Sequence, residues 1–182
     1  MATNGNDESG SRPGDRPGWA TRFFAWLRDA PLDRRPTLAD LITGAFSFLE
    51  EQYGFRRGEV VDRSMYTTVT WVTDTSQVRV SVDQREGAEV DVACREPRPG
   101  VQGYGLFTIR HFREHGSLAG IRAAAKARRR PRTWSEELEQ LASDLQAHAP
   151  DILKGDFSLF DALDEECRAQ VASRAARQKG RQ

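Results

Sequence analysis

Cysteine is scarce in this chain, with only Cys94 and Cys167 present, far apart and in no metal or redox spacing. Two such thiols exclude a disulfide scaffold and read as small apolar side chains. Histidine is scarce too, with His111, His115 and His148 alone. No run approaches the roughly 20 apolar residues of a membrane span. The opening residues MATNGNDESGSRPGDRPG lack the apolar core of a secretory leader. The expectation is a cytoplasmic protein. Net charge is absent too: 27 Lys and Arg balance 27 Asp and Glu. No global field draws the molecule to nucleic acid or to a membrane.

What is present is a polar globular composition, 38% hydrophobic and 30% charged over 182 residues. That length suits one domain with a core of its own. The charge is arranged in blocks. Residues 110–132 carry eight bases against Glu114, residues 133–166 carry ten acids against Lys154, and residues 167–182 carry five bases and no acid. Neighbouring blocks of opposite sign can neutralise each other within the fold.

The order of elements follows from local periods. Residues 1–18 have no apolar period and read as a disordered tail. Trp19, Phe23, Trp26 and Leu27 then recur at helical spacing, which predicts a short amphipathic helix over 19–29. Its polar face holds two Arg and one Asp, so docking on protein suits it better than a membrane surface. Thr37 and Asp40 form a capping box for a helix over 37–53, apolar at Leu38, Leu41, Ile42, Ala45, Phe46, Leu49 and Tyr53 and stopped by Gly54.

The period then changes to two. Met65, Thr67, Val69 and Trp71, then Val78, Val80 and Val82, then Val90, Val92 and Cys94 alternate with polar neighbours. Short links join the three runs, so they predict an antiparallel meander, half buried. Val60 and Val61 suggest a further edge strand. Residues 96–105 read as a loop, and 106–115 fit a helix better than a strand. A basic helix over 117–130, a capped helix over 133–149 and a last helix from Ser158 complete the chain. Phe160, Leu163, Cys167 and Val171 share a face of the last one. The fold class is therefore α+β: an N-terminal helix, a meander of three to four antiparallel strands, and C-terminal helices on one sheet face. The domain spans 19–155 with its core at 37–149, and 156–182 is a C-terminal helix with a basic, disordered end.

Chemistry is thinly supported. His111 and His115 share a helix face at i and i+4, as metal ligands do, but Phe112 stands where a zinc protease needs Glu. They read as packing or surface histidines, and no metal or cofactor is expected. The glycines at 100, 103 and 105 lack phosphate-loop spacing. Asp83, Glu89 and Asp91 lie among Arg79 and Arg95, which suggests ion pairs on a wet sheet rather than an acid–base pair. No catalytic residue is assigned.

Two surfaces remain. One is the polar sheet face with Tyr66, Thr68, Thr70, Arg79, Ser81, Asp83, Asp91 and Arg95. The other is the basic run with Arg122, Lys126, Arg128, Arg129, Arg130 and Arg132, which could contact phosphates. The stretches FSFLEEQYGF and LASDLQAHAPDILKGDF, with the strands between them, resemble a set of small bacterial α+β proteins, some of them immunity-protein-like. The resemblance spans roughly residues 40–157 and brings no catalytic signature. It implies a bacterial origin and a binding role. The leading expectation is a non-enzymatic protein–protein interaction module, immunity-like or accessory, with another protein as partner. Nucleic-acid binding through 122–132 comes second and an enzyme last.

Overall fold

A computed structural model describes residues 36–127 and 133–179. The expected tail over 1–18, the helix over 19–29 and the arginines at 128, 129, 130 and 132 lie outside the described residues. What is described belongs to one compact unit beginning at Pro36.

The first helical stretch is two segments, α1 (Leu38–Ala45) and α2 (Phe48–Tyr53). Thr37 accepts from the Asp40 N–H at 3.2 Å while Asp40 accepts from the Thr37 N–H at 2.9 Å, which completes the capping box. The break at Phe46 and Ser47 was not expected. Phe46, Phe48 and Leu49 are all fully buried. On a continuous helix positions 46 and 48 would point about 200° apart, so one would face water. Breaking the helix lets both enter the core. Gly54 ends α2 with φ 69°, the left-handed stop its position predicts.

The sheet is a five-stranded antiparallel meander in sequence order: β1 (Arg56–Asp62), β2 (Tyr66–Val72), β3 (Ser76–Asp83), β4 (Gly87–Cys94) and β5 (Gly103–Gly105). The three central strands alternate as expected. Val69, Trp71, Val78, Val80, Val82, Val90, Val92 and Cys94 are buried on one face. Met65, expected on that face, lies instead in the turn before β2 and is exposed. β5 lies inside the expected loop. Its three residues have no alternation to announce them, and their pairing with Asp91–Ala93 is non-local. A Cβ at Gly103 would sit 2.8 Å from both the Ala93 Cβ and the Val92 carbonyl oxygen, so this close approach requires glycine.

The remaining helices are α3 (Leu106–His115), α4 (Ile121–Ala127), α5 (Trp134–His148), α6 (Pro150–Leu153) and α7 (Ser158–Lys179). α1 packs on β2, α3 and α5 pack on β4, and α5 also touches α1 and α3. The apolar sheet face is thus roofed by the helices expected to cover it. Thr133 and Glu136 close the second capping box, at the start of α5. Replacing Thr133 by Ala removes the hydroxyl oxygen that accepts from the Glu136 N–H at 3.2 Å and leaves the reciprocal backbone bond in place. It should cost about 1 kcal/mol, read as a lower urea midpoint with an unchanged slope.

α7 departs from expectation. Phe160 and Leu163 are buried, but Val171, assigned to the same face, is 66% exposed. No described side chain beyond Asp164 is buried. The helical period was read correctly, but the body of the domain ends before that face does.

Candidate functional site

Among the described residues the second sheet face carries no helix packed on it, since α1, α3 and α5 contact the strands from the apolar side. The register sets its side chains in rows. Tyr66 opposes Asp83, Thr68 opposes Ser81 and then Glu89, and Thr70 opposes Arg79, Asp91 and Gly105. The Thr68 and Ser81 hydroxyls hydrogen-bond at 3.1 Å. Arg79 donates to Asp91 at 2.8 Å, a cross-strand pair in which Arg79 is exposed and Asp91 half-buried. Arg63 stacks over the Tyr66 ring at 5.5 Å. Tyr66, Thr68, Thr70, Arg79, Ser81, Asp83 and Asp91 therefore share these rows, whereas Arg95, expected with them, lies past the end of β4 and outside the register.

Two of them also have local duties. Asp83 accepts from the Arg85 N–H at 2.7 Å and the Glu86 N–H at 3.1 Å, closing the β3–β4 turn. Those two backbone donors hold its carboxyl below the usual carboxylate range. Arg95 follows the end of β4 and donates to the Thr73 carbonyl at 2.6 Å.

Both sheet edges are blunted. β1 has a bulge between Arg57 and Val60 and is exposed along nearly its whole length. β5 is only three residues long. The edge N–H of Ala88 on β4 is taken by Glu137 of α5 at 3.3 Å.

The basic run divides. Arg122 and Lys126 are exposed on α4 and hold no acidic partner among the described residues. Earlier bases do find acids: Arg110 donates to Asp144 at 2.6 Å and Arg113 to Asp151 at 2.6 Å. The opposite blocks thus neutralise each other at α3, α5 and α6, but not at α4.

The histidines are placed by packing. His111 is buried, donates from Nε2 to the Ala119 carbonyl at 3.0 Å, and stacks on His115 with ring centroids 4.4 Å apart. His115 Nδ1 donates to the His111 carbonyl at 3.0 Å. His148 stands 3.8 Å from Glu114. Among the described residues no group of three or more His, Cys, Asp or Glu side chains is arranged to hold a metal ion, and no helix is long and apolar enough to cross a membrane.

One polar cluster was not foreseen. Asp164 on α7 is 7% exposed, accepts from the Tyr104 hydroxyl and from the Val101 N–H at 3.2 Å, and faces Arg98 at 3.2 Å. Arg98 also pairs with Asp161 and lies 5.5 Å over the Phe160 ring. Burial would push the Asp164 carboxyl up. The Tyr104 hydroxyl, the Val101 N–H and the charges of Arg98 and Arg168 outweigh it and hold the carboxyl below its ordinary range. Burial first, and then Asp164, push the Tyr104 phenol upward. Gly100 has φ 101°, and a Cβ there would sit 2.0 Å from Asp164 Oδ2. The cluster ties the loop after β4 to α7. The one local signal was an acid beside Leu163 on the buried side of an amphipathic helix. Its partners lie some 60 residues away, beyond any pattern of spacing.

No protein-family model, curated protein or solved structure matches this chain.

Proposed function

We propose that this chain is a non-enzymatic protein-interaction module that docks another protein on its open sheet face. The observation that carries this reading is the disposition of the sheet: helices on one face, blunted edges, and a broad polar face left uncovered among the described residues. The composition of that face fits an interface. It offers a Tyr ring, short hydroxyl side chains and arginines, and no lysine on its strands. Tyr and Arg are enriched in interfaces and Lys is depleted. Thr and Ser side chains are ordered at small entropic cost. The bacterial origin implied by the resemblance, together with the cytoplasmic setting expected from the sequence, suits a neutralising or accessory factor, and this is the role proposed.

Co-purification from the native host tests it. The full chain should return one dominant protein partner. Reversing Arg79 to Glu, alone and with Thr70 also replaced by Glu, should lower recovery about tenfold or more. Asp83 is a poor choice for reversal, because its loss would open a turn as well as alter the face. Undiminished recovery with both variants would remove the sheet face from the proposal.

A further inference from the structure

We draw no further inference here: the strongest candidate, the groove of about 480 Å³ between α4 and α7, is lined by one base, Arg122, and one ionised acid, Glu166, and nothing in the structure shows what covers it.

Discussion

Replacing Asp164 by Ala should destabilise the protein by about 3 kcal/mol, because breaking a buried ionic cluster leaves its partners uncompensated. The Tyr104 hydroxyl, the Val101 N–H and part of the Arg98 charge all lose their acceptor at once. For a chain of this size the midpoint of thermal unfolding should fall by about 6–12 °C. Asp164→Asn keeps one carbonyl oxygen and should cost roughly half as much. Tyr104→Phe on the Asp164→Ala background should add little, since the phenol has already lost its acceptor. A double-mutant cycle reads that coupling directly.

The pH dependence has a definite sign. The folded state holds the Asp164 carboxyl below its unfolded value. Its contribution is therefore fully present above the unfolded value of about 3.9 and is lost as pH falls through the lower folded value. The stability gap between the native chain and Asp164→Asn should be constant from pH 7 to about pH 5 and close below about pH 4. Urea unfolding at a series of pH values measures it. A gap that widened in acid would show that Asp164 is not held ionised by the cluster.

Some of this fold was legible because its determinants are local. Thr37 with Asp40 and Thr133 with Glu136 mark two helix starts within four residues each, and both boxes are formed. Val78, Val80 and Val82 against Arg79 and Ser81 declare a strand with a wet face, and the register confirms which residues share it. The rest depended on partners far along the chain. β5 is defined only by Asp91–Ala93 opposite it, and Asp164 only by a loop some 60 residues earlier. Val171 shows a different limit. Periodicity says which side of a helix is apolar, but only the packed body says how far along the helix that side is covered. For the candidate site, alternation placed Thr68, Thr70, Arg79 and Asp91 together, yet could not show that Asp83 also closes a turn. Block charge marked the basic segment. Only the geometry separated Arg110 and Arg113, which are paired, from Arg122 and Lys126, which are not.

The largest single loss should follow from Trp71→Ala, at about 4 kcal/mol. Trp71 sits on a central strand and is fully buried, with the Phe46 ring 5.9 Å away and tilted by 35°. Its Nε1 donates to Glu50 Oε1 at 3.0 Å, and Arg57 stands 3.6 Å from the same oxygen. One side chain thus joins β2 to the broken α1–α2 stretch and to the β1 edge. Truncation opens a cavity that neither the strand nor the capped α1 can collapse to fill. Trp71→Phe separates the two contributions. It keeps most of the ring volume and frees Glu50, which is partly solvated, so it should cost about 1–2 kcal/mol. Urea unfolding of both variants distinguishes them, with slopes unchanged if unfolding stays two-state. If Phe proved as damaging as Ala, the indole–carboxylate hydrogen bond, rather than volume, would hold the helical roof to the sheet. The break at Phe46 would then exist to present Glu50 to Trp71.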